Sequence, residues 1–333
     1  MLTAAQVVAQ YGTDFREGII SMDKLVAPLY DVTPFDEMFT NLETDDTIID
    51  RVMWKATGRF QKYQRAFLPL GGVDFTPNQI RLNNLMLDTT VFPGELKNTA
   101  LDFLVQKGNT PLDAPVLAIH LTNVLVDALN DFHENATYKA IDAPIVAGTA
   151  GSSSGVFNGI GEQIRLAKLT GAGIAKPRTI TLGAVPTDPV LFVDYVHQFY
   201  DQIPDKYKAR IKKIACDQAF ILRYKQGLLA KQLGYLFTGI GVSQNLNTEK
   251  KVKLAFRDCE LIGSFDMAGK NKLWATVEFG GFSNAVRAMK NSNNLTNWNV
   301  TLSVGGKEVN ATKDFWIGYG FYNWDWVFET DQV

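Results

Sequence analysis

The sequence predicts a mixed α+β fold, and three stretches carry that prediction. Apolar residues recur at helical spacing over 115–142, whereas residues 251–282 alternate between polar and apolar as half-buried strands do. Between them, IKKIACDQAFILRYKQ, residues 211–226, has the pattern of a buried strand that stops at Asp217 and turns directly into an amphipathic helix. Helices and strands are therefore both expected in this chain.

The composition is that of a folded, soluble protein. The chain has 333 residues, of which 46% are hydrophobic and 11% aromatic, so it can bury a large core in two domains or in one elaborated domain. Its net charge of −2 and isoelectric point near 6.0 exclude a global basic field that would recruit nucleic acid or an anionic membrane. Binding must therefore be local.

Cysteine usage and the lack of long apolar runs favour a reduced, cytosolic protein. Cys216 and Cys259 are too few for a disulfide framework, and neither belongs to a Cys-x-x-Cys pair that could begin a zinc site. The N-terminus has no positively charged segment followed by an apolar run, and no stretch is long enough to span a bilayer. We therefore expect free thiols and no membrane contact.

An acidic segment precedes a basic one near the N-terminus. Asp31–Asp50 carries seven acidic side chains and neither Lys nor Arg. Basic residues then recur at spacings of four, four and three, which places them on one face if the segment is helical. These residues are Arg51, Lys55, Arg59 and Lys62. A solvated helix face is the ordinary interpretation, and the functional alternative is pairing with Asp45 and Asp46 of a neighbouring copy.

Two extended runs between Phe60 and Phe92 predict a long hairpin. RFQKYQRAFLPL and RLNNLMLDTTVFP are separated by GGVDFTPN, whose glycines, proline and asparagine are typical of turns. A two-stranded ribbon is marginal in water by itself and needs a partner surface. Phe67, Phe75 and Leu82 are accordingly its candidate contact residues.

The central part of the chain predicts one long helix followed by a loop. Pro115–Asp142 should contain a helix of six or seven turns, with an apolar stripe that includes Leu121, Leu125 and Phe132. The following stretch, APIVAGTAGSSSGVFNGIGEQIRLA, is rich in Gly and Ser and is interpreted as a flexible connection. It contains neither of the common phosphate-binding glycine motifs and no nucleophile elbow.

The remaining elements have local signals. A helix should begin at Asp188 and end at Pro204, and Asp217 should cap the helix that follows its strand, with Phe220, Leu222, Tyr224 and Leu228 facing a core. Short strands should follow over 251–282, with a turn at Gly269–Asn271. The aromatic tail, KDFWIGYGFYNWDWVFE, should form a half-buried closing strand.

Residues that could carry chemistry are few. His120, His133 and His197 each lie in a helical pattern, and no pair has metal-ligand spacing. The sequence therefore predicts no catalytic, cofactor-binding or metal site. One alternative is an α/β hydrolase that uses Cys216, Asp217 and a histidine, although no local signature supports it. Another is a carbohydrate-binding module, which only the tail tryptophans suggest and which a core role explains better.

The order of elements resembles that of the major capsid proteins of tailed bacteriophages. An acidic arm, a long hairpin ending in TTVFPGELKNTALDFL, a spine helix and a Gly-rich loop with GVFNGI come in succession. The segment LFVDYVHQFYDQIPDKYKARIKKIACDQAFILRYKQ then looks like the helix, central strand and second helix of that family's apical domain. Cys216 and Asp217 would thus belong to the scaffold.

That resemblance implies the tailed-phage major capsid fold and a domain plan. The implied parts are an N-terminal arm (1–59), an E-loop hairpin (60–95), a peripheral domain with the spine helix (96–179), an apical domain (180–264) and return strands of the peripheral domain (265–333). The implied function is self-assembly into an icosahedral shell around a phage double-stranded DNA genome, in a virion capsid assembled in the host cytoplasm.

The resemblance also implies partners. These are copies of the chain itself in hexamers and pentamers, scaffolding and portal proteins, and packaged DNA in non-specific proximity; no cofactor and no membrane are expected. An encapsulin-like shell protein, which encloses an enzyme cargo instead of a genome, is an alternative with the same fold.

Overall fold

The computed structural model describes residues 34–58, 60, 62, 71–91, 116–146, 148–170, 176–231, 250–290, 298–302 and 308–332. The α-helices in these ranges are α1 (Val116–Asn135), α2 (Ile160–Thr170), α3 (Pro189–Gln202), α4 (Asp205–Lys208) and α5 (Gln218–Ala230). The strands are β1 (Thr40–Glu43), β2 (Ile48–Gly58), β3 (Gly71–Arg81), β4 (Asn83–Val91), β5 (Arg178–Ile180), β6 (Lys213–Asp217), β7 (Lys251–Lys253), β8 (Glu260–Ser264), β9 (Trp274–Thr276), β10 (Glu278–Phe279), β11 (Phe282–Ser283), β12 (Ala285–Met289), β13 (Asn299–Leu302), β14 (Val309–Phe321) and β15 (Val327–Thr330).

The chain divides into two compact units. The first contains the described residues of Asn83–Phe132 and Met289–Ile317. In it, β14 pairs antiparallel with both β13 and β4, and α1 contributes Leu121 and Leu125 to the core. The strand residues of that core are Val91, Trp298, Val309 and Ala311. The apolar stripe predicted for the long helix is therefore confirmed at its centre.

The long helix is shorter than the sequence predicts, because it ends at Asn135 and not at Asp142. Immediately beyond it, the backbone N–H of Tyr138 donates a hydrogen bond to the carboxylate of Asp266, which is fully buried. This hydrogen bond uses a backbone N–H that would otherwise bond within a continued helix. Helical periodicity in the sequence cannot show where such a tertiary bond ends the helix.

The second unit contains the described residues of Thr33–Leu82, His133–Ala288 and Gly318–Val333. Its main feature is a six-stranded mixed sheet in the order β5-β15-β9-β6-β8-β7, in which β6 and β8 run parallel. Helices α3 and α5 pack on each other, with the rings of Phe192 and Phe220 at 4.9 Å. These two rings belong to the hydrophobic core on the six-stranded sheet.

Local signals in this unit behaved as predicted, with one exception. Asp188 caps α3, its carboxylate accepting from the Val190 N–H at 2.8 Å, and Asp217 caps α5 in the same way through Ala219 at 2.9 Å. On α5 the predicted core residues are buried except for Leu222, which is exposed. The helix packs closely on α3 because Gly227 has no side chain; a Cβ there would overlap the carbonyl of Pro189.

Two other predictions were wrong. The Gly/Ser-rich segment is not wholly a connection, because its second part forms α2 over Ile160–Thr170. The aromatic tail is not one strand: β14 ends at Phe321, a 3-10 turn follows over Trp324–Trp326, and β15 begins at Val327. Asn323 causes the break, since its side chain accepts from the Asp325 N–H and caps that turn.

The hairpin exists but its strands differ from the predicted ones. It is formed by Ile48–Gly58 and Gly71–Arg81, so GGVDFTPN is strand and not turn. The run Asn83–Val91 instead pairs with β14. Pro77 is tolerated in this strand because a two-stranded ribbon has open edges, where a missing N–H donor loses no ladder bond. The helix considered for the basic residues is also wrong, since Arg51 lies in β2.

Candidate assembly surface

The β2–β3 ribbon carries several large apolar side chains that its own chain leaves exposed. Each strand has 11 residues, which is roughly 35 Å at the usual rise per residue. Because strand side chains alternate between faces, the register of β2 and β3 gives the ribbon two distinct faces. One face is anchored to the unit and the other is open.

The anchored face begins at the base of the ribbon. Ile49, Met53 and Ile80 are buried there, with Ile80 only 1% exposed. The base approaches β14 at two glycines: a Cβ at Gly318 would overlap the carbonyl of Arg81, and one at Gly320 would crowd the Ile80 side chain. The alternation of glycines in WIGYGF therefore makes room for the ribbon.

A buried amide fixes this base further. Asn78 donates from Nδ2 to the carbonyl of Phe321 at 2.5 Å and accepts from the Trp324 indole N–H at 3.3 Å. A buried polar side chain that satisfies both donor and acceptor specifies one position for the strand, because any register slip leaves it unpaired.

The open face is apolar. Val52 and Phe75 are 62% and 68% exposed, and Val73 is 50% exposed. We call this set the apolar ribbon face, and its members are Ile48, Val52, Val73, Phe75 and Pro77. Clusters of large exposed apolar side chains are typical of surfaces that bind another molecule.

Polar residues separate Ile48 from the rest of the apolar ribbon face, because Asp50 and Gln79 are paired between Ile48 and Val52. Asp50 accepts from the Gln79 amide at 2.8 Å, and Gln79 accepts in turn from the Arg81 guanidinium at 3.2 Å. These three side chains cross the two strands on the same face as Val52. An apolar centre with a polar rim is the usual anatomy of a protein–protein interface.

The residues that the sequence singled out are distributed around this ribbon. Asp45 and Asp46 are exposed just before β2, and Lys62 is also exposed. Arg51 lies on the anchored face, with its guanidinium 5.7 Å from the centroid of the Tyr322 ring. A cation over an aromatic ring in its own chain is already partnered.

Of the other candidates, only Phe75 belongs to the apolar ribbon face. Leu82 is buried in its own chain and is not part of this surface. Arg59, Phe67 and the side chain of Lys55 lie outside the described residues. The candidate contacts through these residues stay predictions.

Sequence reasoning missed Ile48, Val52, Val73 and Pro77. No clean signal identifies them, because Ile48–Met53 reads as two apolar, two polar and two apolar residues and not as the strict alternation of a half-buried strand. The acidic and basic residues of the same segment drew attention to charge instead.

The geometry of Cys216 does not favour a nucleophile. Its thiol is fully buried in β6 and donates a weak hydrogen bond to the carbonyl of Ile262 at 3.5 Å. Burial, with the charge of Asp217 as a smaller cause, raises the pKa of this thiol well above its ordinary value. Reactive cysteines have a lowered pKa and some exposure, so Cys216 is a packing residue.

Asp217 and the described histidines have structural partners. The second oxygen of Asp217 accepts from the Gly269 N–H at 2.9 Å, in addition to its capping bond. His197 forms a hydrogen bond with the Tyr224 hydroxyl at 2.9 Å. Burial lowers the pKa of both His133 and His197, although Asp36 beside His133 opposes this. The side chain of His120 is outside the described residues.

Other candidate sites are also accounted for within the described ranges. No group of three or more His, Cys, Asp or Glu side chains there could hold a metal ion. None of the helices described is long and apolar enough to cross a membrane. Trp324 donates to Asn78, and Trp326 packs against the core of the six-stranded sheet, so these tail tryptophans are part of the fold.

Comparison with solved structures identifies the fold. The chain is similar to the structure of Mycobacterium phage Ogopogo, with a TM-score of 0.51 and 11% identity over 90% of this chain and 91% of that one. It is also similar to the holo-SrpI encapsulin complex from Synechococcus elongatus, with a TM-score of 0.50 and 11% identity over 91% of this chain and 88% of that one. The chain has the tailed-phage capsid fold.

A third similar structure is the procapsid of satellite phage P4, with a TM-score of 0.49 and 9% identity over 94% of this chain and 91% of that chain. No protein-family model matches the sequence, and no curated protein matches it significantly. The capsid fold predicted from the order of elements is therefore confirmed by structure and not by sequence similarity.

Proposed function

We propose that this protein is a major capsid protein, a structural subunit that self-assembles into a closed icosahedral shell enclosing a phage double-stranded DNA genome. The observation that carries the proposal is the apolar ribbon face. Its side chains are more exposed than a subunit in isolation would favour, and they lie on an element with an anchored base and an open face. A neighbouring copy would cover them.

Shell formation explains the rest of the molecule better than catalysis does. A subunit that tiles a closed surface needs heterologous contacts, in which two different surfaces of the same chain meet. The ribbon supplies one such surface. The cysteine, aspartate and histidine that would form a hydrolase site are buried, capping or bonded to tyrosine.

The finer features of the proposal follow from the resemblance and from charge. We expect hexamers and pentamers of the chain in a virion capsid, scaffolding and portal proteins as assembly partners, and assembly in the host cytoplasm. A net charge of −2 suits a wall beside packaged DNA, because a strongly basic lining would bind the genome and hinder its release.

The test removes the open part of the ribbon and keeps its base. Residues 54–75 are replaced by Asn-Gly, which closes a two-residue turn on the register pair Met53 and Thr76. Ile49, Ile80 and Asn78 remain, so the subunit should fold. Electron microscopy and sedimentation should show soluble subunits without closed particles, in the presence of cognate assembly partners if the wild type needs them.

A matched control removes apolar surface elsewhere in the same unit. Leu191 and Leu229 are exposed on α3 and α5, and changing both to Ser should leave assembly intact. Closed particles formed by the shortened ribbon would contradict the proposal. Equal loss of assembly in the control would show that general apolar surface, and not the ribbon, drives association.

A second candidate is an encapsulin-type compartment, and the similarity to the SrpI encapsulin complex favours it specifically. The two functions differ in particle content. Purified native particles that protect DNA from nuclease support the genome shell, whereas particles that contain a second protein and no nucleic acid support the compartment.

A further inference from the structure

The loop between β7 and β8 presents an aromatic side chain on an unfavourable backbone. Phe256 has φ of 61° and is the only non-glycine residue with positive φ in the described part of the chain. The residue is 70% exposed, so burial in its own subunit does not compensate for that conformation. Left-handed backbone is disfavoured for a residue with a Cβ, above all a bulky one.

The surrounding loop holds this conformation from the N-terminal side. The N–H of Leu254 donates to the carbonyl of Cys259 at 2.8 Å, and both side chains are buried. The next N–H, that of Ala255, donates to the hydroxyl of Tyr224 at 3.1 Å. The same hydroxyl is bonded to His197 on α3, so two helices fix the backbone immediately before Phe256.

Arg257 holds the other side. Its guanidinium binds both carboxylate oxygens of Asp201 at 2.9 Å and lies 5.9 Å from the centroid of the Tyr200 ring. It also donates to the carbonyl of Phe256 at 3.3 Å. A sparsely populated backbone conformation persists only when its surroundings over-determine it, and such residues cluster at functional positions.

The charges around Phe256 are of both signs. Arg257 pairs with Asp201, and Asp258 pairs with Lys212 and, at 3.9 Å, with Lys253. A polyanion would select an unpaired basic surface, whereas paired charges around an aromatic side chain form the rim expected of a protein partner.

We propose that Phe256 is the anchor of a second contact between copies of this chain, distinct from the ribbon contact. The inference rests on the proposed self-assembly. One heterologous contact closes a ring or extends a filament, so each copy of a closed shell needs at least one further contact. A rigid aromatic side chain is suited to it because little conformational freedom is lost on binding.

The test separates loss of the ring from damage to the subunit. Asn tolerates left-handed backbone, so Phe256→Asn should leave the melting temperature of the dissociated subunit unchanged or raise it. Because the anchoring ring is lost, the protein concentration needed for assembly should rise at least about tenfold. Phe282 is a matched control, because it is also exposed but does not have positive φ. Phe282→Asn should not raise the melting temperature and should assemble as the wild type does.

A second measurement does not depend on closed particles. Photo-crosslinking p-benzoylphenylalanine at position 256 should join one copy to another, and mass spectrometry should locate the second site outside the apolar ribbon face. If copies crosslink through position 256 but the wild type forms no closed particles, the Phe256 contact would be supported and the proposed shell function would be wrong. If the wild type forms closed particles, position 256 gives no crosslink and Phe256→Asn assembles normally, the Phe256 contact would be wrong. The proposed shell function would be unaffected. A lowered subunit melting temperature would overturn it too, since the ring would then have a structural role.

Discussion

The β2–β3 ribbon and the β6–α5 segment are both apolar, but only the second is covered by its own chain. Ile214, Ala215 and Cys216 of β6 are fully buried, whereas Val52 and Phe75 of the ribbon are more than half exposed. Burial of a large apolar side chain contributes about 1.5–3 kcal/mol, and only when water is excluded. The first set therefore stabilises the subunit, and the second can stabilise only an assembly.

The largest effect should separate these two roles directly. Phe220 is buried against Phe192, so Phe220→Ala should lower the free energy of unfolding by about 3–5 kcal/mol. Phe75→Ala, which removes the same atoms from an exposed position, should change it by no more than about 0.5 kcal/mol. Urea unfolding of dissociated subunits measures both. Similar losses in the two variants would show that Phe75 is covered within the subunit.

An intermediate effect should come from the point where the ribbon joins the unit. Gly318→Ala would place a methyl group on the carbonyl of Arg81 and force the ribbon base away from β14, at about 1–3 kcal/mol. Gly72→Ala is the control within the ribbon, because a Cβ there meets open space. Thermal unfolding should show destabilisation only in the first variant. Equal melting temperatures would mean that the ribbon is not anchored at Gly318.

The comparison also shows which parts of the fold a sequence can predict. Asp188 and Asp217 were identified correctly because a capping aspartate bonds to an N–H two residues away, and this signal is wholly local. The segment Ile48–Gly58 was ambiguous because a spacing of four residues places side chains on one face of a helix and also on one face of a strand. Local pattern could not choose between them.

Strand partners were beyond reach for a different reason. Asn83–Val91 pairs with β14, whose residues lie more than 200 positions later, and Thr90 and Asn310 even share a hydrogen bond at 3.2 Å across that separation. The two glycines that admit the ribbon, Gly318 and Gly320, look like ordinary strand residues until their neighbours are known. The apolar ribbon face was missed because its residues are recognised by exposure, which depends on tertiary structure.

A further effect concerns pH, which should act on the buried part of the subunit. Asp266 lies in the 3-10 turn Phe265–Met267 after β8, and burial raises the pKa of its carboxyl to about 7. The Tyr138 N–H, followed by Lys139 and Lys270, opposes that rise. Since the folded-state pKa lies above the ordinary value of 3.8, the protonated form stabilises the fold. This contribution is fully present below about pH 4 and is lost as the pH rises through about 7.

Asp266→Asn keeps an oxygen that can accept from the Tyr138 N–H but cannot ionise, so it should remove this contribution. Relative to the wild type, the variant should gain stability as the pH rises from 5 to about 7, and this gain should level off at higher pH. The histidines, whose lowered pKa values destabilise the fold as the pH falls below about 6.5, are present in both proteins and cancel in the difference. Urea unfolding at pH 5, 6.5 and 8 measures that difference. If the difference for Asp266→Asn does not grow with pH, the Asp266 carboxyl is ionised in the folded subunit throughout this range. The buried core would then not differ from the exposed ribbon in its response to pH.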